Sequence, residues 1–221
     1  MSTSSGHPWK VDINKQGWAV LQGITTTAEM QRFAESLGSV LRAPSGEVVK
    51  VLKPRVAHES PRCSLSGRYG NDGFPFHTDT AFWALPCRFI VMRVVGDTRR
   101  NTLLLDFDAL WAGFDSVARH DAVTSIWRTP RETGGIYCSL RFSVGGSQGW
   151  RYDADIMRPV NQAAVRTKYV LEAALRAPTT AVPVKWAETD CLVVDNWRCL
   201  HARSARPDQE QERNLFRIYV R

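Results

Sequence analysis

The sequence predicts a single domain that is mostly β with flanking helices, an α+β fold. Short apolar runs bounded by polar residues or glycine, such as residues 191–194, have the length and composition of strands. Two longer segments, residues 27–38 and 162–176, carry apolar residues at helical spacing. With 221 residues, 43% of them hydrophobic, the chain is long enough for one full core, and no repeat or low-complexity linker divides it.

Individual elements follow from local signals. We expect the first helix to begin with Thr27 as its N-cap and to end at Gly38. Its apolar face comprises Met30, Phe33, Ala34 and Leu37. Residues 136–144 lie between two glycine pairs and have strand character. Residues 162–176 are alanine-rich and predict a second helix, which Pro178 ends.

Composition and charge narrow the class of protein. The formal net charge is +7 and 23 of the 29 basic residues are arginine, but they are scattered and form no Lys/Arg-rich run. This distribution argues against nucleic-acid binding and is compatible with anionic small molecules as partners. The first eight residues lack the apolar stretch of a secretory signal, and no run is long enough to span a membrane. Five cysteines without a CxxC pair indicate reduced thiols, so we expect a cytoplasmic protein.

The candidate metal site consists of His77, Asp79 and His201. In an extended strand, residues two positions apart point to the same side, so His77 and Asp79 can reach a common metal. His201 lies just beyond the apolar run that ends at Val194, where a strand end or loop can present its side chain. Two imidazoles and one carboxylate can occupy one face of a ferrous ion, leaving adjacent positions for a chelating co-substrate and dioxygen. The pattern predicts an oxygenase.

Two arginines follow the last histidine. Arg213 lies twelve residues beyond His201, and Arg217 lies four residues further along. A guanidinium group holds a carboxylate in one orientation because it offers two parallel hydrogen bonds. A keto acid bound to iron has such a carboxylate at its far end.

The segment from Asp195 to Tyr219, with its Asp-Asn-Trp-Arg-Cys-Leu-His-Ala-Arg run and later arginine, resembles a known family. It is similar to the taurine dioxygenase and γ-butyrobetaine hydroxylase group of iron(II)/2-oxoglutarate enzymes, the clavaminate synthase-like family. The N-terminal third also resembles the opening of this family, with a strand at residues 17–24, a helix, and a further segment at residues 46–54. The resemblance implies a double-stranded β-helix (jelly-roll) core in one domain, residues 1–221. It also implies an insertion at about residues 115–182 that covers the active site.

The resemblance also assigns roles to residues. It gives His77, Asp79 and His201 to Fe(II), and Arg213 and Thr102 to 2-oxoglutarate. The implied activity uses dioxygen to hydroxylate, or otherwise oxidise, a C–H bond of a small anionic or zwitterionic molecule, while 2-oxoglutarate is decarboxylated to succinate. Related halogenases have a small residue in place of the carboxylate ligand, so the presence of Asp79 favours hydroxylation.

Further residues are candidates for the substrate pocket or for support of the metal ligands. Arg217 matches a position that contacts the anionic group of the substrate in taurine dioxygenase. Proximity to the motifs suggests a pocket lined by Trp83, Tyr69, Arg68, Asn71, Arg151 and Tyr152. Asp195 and Asn196 are expected either to accept a hydrogen bond from a metal-bound imidazole or to form a turn.

Three other interpretations remain open at this stage. The same triad can bind zinc and activate water for hydrolysis, which would leave Arg213 and Thr102 without a role. Residues 145–149 satisfy the G-x-S-x-G pattern of serine hydrolases, but no helix is predicted directly after Ser147, so a glycine-rich hairpin turn is the simpler interpretation. A non-catalytic β-helix binding protein is the third. The sequence does not indicate the oligomeric state.

Overall fold

The architecture is taken from a computed structural model, which describes residues 8–43, 45–53, 58, 65–131, 134–176, 178–205 and 212–221. The helices are α1 (Pro8–Gln16), α2 (Thr27–Leu37), α3 (Leu65–Tyr69), α4 (Phe107–Ala112), α5 (Ser116–Thr124) and α6 (Gln162–Arg176), with a short 3-10 helix at Trp186–Glu188. The strands are β1 (Trp18–Leu21), β2 (Val40–Leu41), β3 (Lys50–Leu52), β4 (Phe74–His77), β5 (Phe89–Gly96), β6 (Thr102–Asp106), β7 (Ile126–Arg131), β8 (Gly134–Ser139), β9 (Arg141–Val144), β10 (Ser147–Trp150), β11 (Arg158–Pro159), β12 (Val182–Val184), β13 (Cys191–Asp195), β14 (Cys199–Arg203) and β15 (Arg213–Val220). The expectation of a mostly β fold with flanking helices is confirmed.

Two antiparallel sheets form the centre of the described structure. The larger sheet has the order β1-β13-β5-β15-β2, with β3 pairing beside β15, and the smaller one has the order β12-β6-β14-β4. Their inner faces pack against each other through apolar side chains of both sheets. This shared core includes Ile90, Met92, Leu192 and Val194 of the larger sheet and Leu104, Val184 and Cys199 of the smaller one. Alternation along each strand therefore sends every second residue into the space between the sheets.

Helices α1 and α2 cover the outer face of the larger sheet. Met30 and Ala34 of α2 are buried against Val91, Val193 and Ile218 of the strands. The N-cap of α2 is Thr26, one residue before the predicted Thr27. Its hydroxyl accepts the N–H of Glu29, whose carboxylate in turn accepts the N–H of Thr26, so both form a capping box. Helix α1 was not predicted from the sequence.

The chain between β6 and β12 covers the outer face of the smaller sheet. Because β6 and β12 pair directly, residues 107–181 leave this sheet and return to it. This excursion carries α4, α5 and α6 together with two small sheets of its own, β10-β9 and β11-β7-β8. Its buried side chains, including Trp127, Trp150 and Leu171, pack with Leu105 and Leu200 on the back of the smaller sheet.

The predicted glycine hairpin is present at residues 145–146. Strands β9 and β10 pair around Gly145 and Gly146, which have φ angles of +56° and +80°. Two positive φ angles in a two-residue loop are typical of a type I′ hairpin turn. Ser147 begins β10 and no helix follows it, so the structure gives this segment no nucleophile elbow. In the described ranges, no helix is both long and apolar enough to cross a membrane.

Candidate metal centre and its cavity

Three buried side chains converge where β4 and β14 pair. His77, the last residue of β4, stands opposite His201 in the register of the two strands, and their ring centroids are 4.2 Å apart. The carboxylate of Asp79 lies 3.6 Å from Nε2 of each imidazole. One potential ligand atom from each residue lies within 4.8 Å of the others. The sequence prediction that these three residues come together therefore agrees with the structure, although His201 lies inside β14 and not beyond a strand end.

The turn after β4 aims Asp79 at the imidazoles. Strand β4 ends at His77, and Thr80 adopts a φ angle of +57°, a left-handed conformation that few non-glycine residues adopt. The hydroxyl of Thr80 accepts the N–H of Cys87 at 2.8 Å. Thr78 donates its N–H to the carbonyl of Tyr152 at 2.7 Å and accepts the N–H of Tyr152 at 3.1 Å. Thus the excursion anchors the turn that carries the carboxylate.

Asn196 fixes the backbone of Asp79. Its Oδ1 accepts the N–H of Asp79 at 2.9 Å, and its Nδ2 donates to the carbonyl of Asp79 at 3.0 Å and to that of Cys87 at 2.8 Å. Asn196 is therefore a partner of the carboxylate ligand and not, as its position after Asp195 suggests, of a metal-bound imidazole. Asp195 accepts the N–H of Trp197 at 3.0 Å and so belongs to a turn.

The donor set fits a metal ion. Nδ1 of His77 lies 3.1 Å from the carbonyl of Pro75, and a hydrogen bond there leaves Nε2 as the unprotonated nitrogen. Nε2 of His77 is buried and has no hydrogen-bond partner within the described ranges. Metal-binding histidines commonly donate their other N–H to a backbone carbonyl in this way. Nε2 of His77 is thus free to bind a metal, next to the carboxylate of Asp79 and the imidazole of His201.

The charges around the triad favour an ionised carboxylate. Burial raises the pKa of Asp79, but the Arg217 guanidinium and the two imidazoles outweigh this and hold its pKa far below the usual range. Burial and the nearby charge of His77 lower the pKa of His201 to about 3. Burial also lowers the pKa of His77, yet the nearby carboxylate of Asp79 raises it overall. A neutral His201 and an anionic Asp79 are the forms that ligate metals.

Arg217 contacts the metal site directly. Its Nη1 donates to Oδ2 of Asp79 at 2.7 Å, and its guanidinium lies over the ring of Tyr219, 5.0 Å from the centroid. Alternation along β15 places Arg213, Arg217 and Tyr219 on the same face of the strand. The side chain predicted to meet the anionic group of a substrate is therefore at the cavity, held by a carboxylate of the protein.

The triad opens into a cavity of about 310 Å³ between the two sheets. Arg213 and Thr102, which the family resemblance assigns to 2-oxoglutarate, both line it. Arg213 is buried and donates to the carbonyl of Arg100 at 2.9 Å. Thr102 Oγ1 accepts from the indole N–H of Trp186 at 3.3 Å. Both residues are therefore held by neighbouring groups on the wall of the cavity that contains the triad.

The remaining substrate candidates separate into two groups. Arg68 lines the cavity, but Trp83, Tyr69, Asn71, Arg151 and Tyr152 are not part of its wall. Trp83 packs edge-on against Tyr219 with the ring centroids 6.0 Å apart. Arg151 donates to the carbonyls of Ala81, Trp83 and Ala84 and so supports the segment after Asp79 from behind. The sequence placed these residues near the site only because they are close to the motifs along the chain.

Several cavity residues were not identified from the sequence. On the basic side they are Lys50, Lys53, Arg100 and Arg203, and on the acidic side Asp153 and Asp155. Lys50 is the register partner of Arg217 across β3 and β15, so alternation along β3 places it on the same face. An Asp-x-Asp run directly after Trp150-Arg-Tyr was the available signal for the acidic pair. It could be assigned to the cavity only once the excursion was seen to fold over the metal site.

Comparisons with known proteins agree with this geometry. Residues 139–219 match the sequence model of the taurine catabolism dioxygenase TauD, TfdA family. The matched segment contains His201, Arg213 and Arg217. This match confirms the resemblance predicted from the sequence. A search of curated proteins finds no match.

The solved structures with a similar fold include three iron oxygenases. An asparagine oxygenase in complex with Fe(II), (2S,3S)-3-hydroxyasparagine and succinate superposes with a TM-score of 0.72 and 17% identity, covering 91% of this chain and 66% of that one. PvcB from Pseudomonas aeruginosa is an Fe, α-ketoglutarate dependent oxygenase from an isonitrile synthetic pathway. It superposes with a TM-score of 0.69 and 17% identity, covering 96% of this chain and 78% of that one. The oxygenase OrfP in complex with Fe, succinate and (3S)-hydroxy-L-Arg superposes with a TM-score of 0.67 and 15% identity, covering 85% of this chain and 64% of that one. At these identities the similarity establishes the fold, and the chain spans about two thirds of the asparagine oxygenase and OrfP.

Proposed function

We propose that this protein is an Fe(II)/2-oxoglutarate-dependent oxygenase that hydroxylates a small molecule. The observation that carries the proposal is the buried His77, Asp79 and His201 cluster at a cavity that Arg213 and Thr102 also line. A hydrolytic zinc site would use the triad but not the arginine and threonine. The shared fold with three iron oxygenases supports the redox interpretation.

Each residue has a defined task in this function. His77, Asp79 and His201 would hold Fe(II), and Arg213 with Thr102 would bind the far carboxylate of 2-oxoglutarate. When bound, the iron and keto acid supply the oxidation by dioxygen that yields succinate, carbon dioxide and a hydroxylated product. Burial of the triad excludes water from this chemistry, and the fixed side chains orient both reactants.

Asn196 and Arg217 support the carboxylate ligand. The three hydrogen bonds of Asn196 fix the backbone of Asp79 and the peptide of Cys87 against each other. Arg217 donates to Oδ2 of Asp79, and this hydrogen bond would keep the carboxylate from turning when it holds the metal.

The proposal extends to the fold and to the substrate class. The larger and smaller sheets form a double-stranded β-helix, and the excursion between β6 and β12 is the insertion that covers the active site. The substrate is small, because a cavity of about 310 Å³ must hold it beside the keto acid. It is anionic or zwitterionic, because Lys50 and Arg217 line this cavity. Products of the asparagine oxygenase and OrfP complexes are hydroxylated amino acids, which supports an amino-acid-like substrate here.

The proposal is tested by measuring the decarboxylation of 2-oxoglutarate. We expect the purified protein to form succinate slowly in air without added substrate, only in the presence of Fe(II). Arg213→Ala removes two charge-assisted hydrogen bonds of roughly 1.5–3 kcal/mol each, so the KM for 2-oxoglutarate should rise at least 100-fold. Arg213→Lys keeps the charge and should recover part of the loss.

The matched control is Arg32→Ala, which removes an exposed arginine from the surface of α2. Its kinetics should equal those of the wild type. Fe(II)-independent hydrolysis of ester or amide substrates, without succinate formation, would instead establish the zinc interpretation.

A further inference from the structure

Two aspartates form one wall of the cavity. Asp153 and Asp155 lie in the excursion, between β10 and β11, and both line the cavity that contains the metal triad. This part of the chain also supplies Tyr152, which is hydrogen-bonded to Thr78 in the turn that carries Asp79. The two carboxylates are therefore held at a fixed place relative to the metal ligands.

Asp153 is a buried carboxylate without a cationic partner. Only 6% of the residue is exposed, and its Oδ1 accepts the backbone N–H of Asp155 at 2.9 Å. Within the described ranges no lysine or arginine forms an ion pair with it. Burial raises the pKa of Asp153, and the nearby His77 offsets this only in part. A carboxylate kept out of water without a counter-charge is unfavourable by several kcal/mol.

Only one of the two carboxylate oxygens of Asp155 accepts hydrogen bonds from described residues. Its Oδ1 accepts from Nη1 of Arg68 at 2.8 Å and from the hydroxyl of Tyr69 at 3.2 Å. Its Oδ2 is buried and has no hydrogen-bond partner in the part of the chain that the structure describes. Arg68 and Tyr69 fix the orientation of the carboxylate, so the second oxygen remains available to a group in the cavity.

Basic residues form the rest of the charged lining of the cavity. Besides Arg68, which is paired with Asp155, they are Lys50, Lys53, Arg100, Arg203, Arg213 and Arg217. The described lining contains one acidic residue besides Asp153 and Asp155. This residue is Asp79, which already contacts Arg217 and the two imidazoles. The lining of the cavity thus combines basic residues with two carboxylates that are separate from the metal triad.

We propose that Asp153 and Asp155 form a subsite for a cationic group of the substrate, an ammonium or a guanidinium. The inference rests on the proposed function and narrows its substrate class to molecules that carry such a group. A ligand cation would supply the counter-charge that Asp153 lacks and the hydrogen-bond donor that Oδ2 of Asp155 lacks. With Arg217 and Lys50 also on the cavity wall, both the carboxylate and the cationic group of a basic amino acid have partners in the cavity that contains the metal triad.

The test compares cationic probes with uncharged molecules of nearly the same shape. L-arginine is paired with L-citrulline, and L-lysine with L-norleucine, in calorimetric titrations of the protein loaded anaerobically with Fe(II) and 2-oxoglutarate. We expect at least one cationic probe to bind tenfold or more tightly than its uncharged counterpart. Asp153→Asn and Asp155→Asn should each reduce that preference about tenfold, because each removes one of the two charges.

Asp12→Asn is the matched control, since it removes the same charge from an exposed position of α1. It should keep the full preference of the wild type. Unfolding curves of all variants show that each is folded, and Asp155→Asn provides the test if Asp153→Asn is not. Equal affinity for cationic and uncharged probes in the wild type would overturn the subsite, as would a preference that survives both substitutions.

These outcomes are separable from failure of the proposed function. The calorimeter first records binding of Fe(II) and 2-oxoglutarate, before any probe is added. Absence of that binding contradicts the oxygenase itself. Normal binding of both, followed by no preference for a cationic probe, contradicts only the role of Asp153 and Asp155.

Discussion

Asn196→Ala should weaken both folding and metal binding. The side chain is 1% exposed and makes hydrogen bonds to the N–H and carbonyl of Asp79 and to the carbonyl of Cys87. Alanine leaves three buried backbone groups unpaired. At about 1 kcal/mol of net stability for each bond, the free energy of unfolding should fall by about 3 kcal/mol. The free energy of unfolding of a folded domain is typically about 5–15 kcal/mol, so this loss is a large part of the total.

The same substitution releases the turn that carries Asp79. Residues that orient metal ligands contribute roughly 10–100-fold to metal affinity, so we expect a loss of that size. The free energy of unfolding is measured by urea denaturation of the metal-free protein, and the affinity by titration with Fe(II) under nitrogen. Both measurements use the same preparations, so the two effects can be assigned separately.

Asn161→Ala is the control for this experiment. Asn161 also makes three hydrogen bonds, accepting the N–H groups of Ile126 and Ala164 and donating to the carbonyl of Thr124. It lies at the start of α6, where these bonds are exposed or only partly buried, so its loss should destabilise the protein by about 1 kcal/mol without changing metal affinity. If Asn196→Ala binds Fe(II) as tightly as Asn161→Ala does, the positioning role of Asn196 is refuted.

Three further predictions concern stability and the metal site. Thr26→Ala removes the capping box of α2 and should lower the free energy of unfolding by about 1 kcal/mol with succinate formation unchanged; a loss below 0.3 kcal/mol, roughly, would mean the cap is unimportant. Leu171→Ala opens a void beneath α6, where the side chain is fully buried, and should cost about 2–5 kcal/mol in the same urea assay, whereas a neutral effect would contradict the packing of the excursion on the smaller sheet. Mn(II), used as an air-stable probe, should raise the Tm of the wild type and leave that of His201→Ala unchanged, because a ligand that binds only the folded state stabilises it; an equal rise in both proteins would exclude His201 as a ligand.

The sequence predicted the metal site better than its surroundings. His77 ends β4, Asp79 stands two residues further along, and His201 lies in β14, so their convergence depends on the pairing of these two strands. The substrate wall depends on how a long excursion folds back, which local patterns do not encode. For that reason Trp83 and Arg151 were expected in the cavity and lie outside it, while Asp153 and Asp155 were not identified.

The helices show a similar division. Helix α6 was predicted with its observed ends at Gln162 and Arg176, because an apolar face and a following proline define it. Helix α1 was missed because it is mostly polar and only Ile13 is buried among its described side chains. Its position is set by packing against the larger sheet, since contacts of Ile13 and Trp9 with α2 and the strands stabilise it.

The most direct test of the central claim is anaerobic difference spectroscopy. The metal-free protein is titrated with Fe(II) and then with 2-oxoglutarate, beside a His77→Ala variant that lacks one ligand of the triad. A weak visible charge-transfer band in the wild type alone is the predicted result, because only iron held with open positions can be chelated by the keto acid. No band from a wild type that has demonstrably bound the metal would contradict the account, and would favour the zinc hydrolase or the non-catalytic protein.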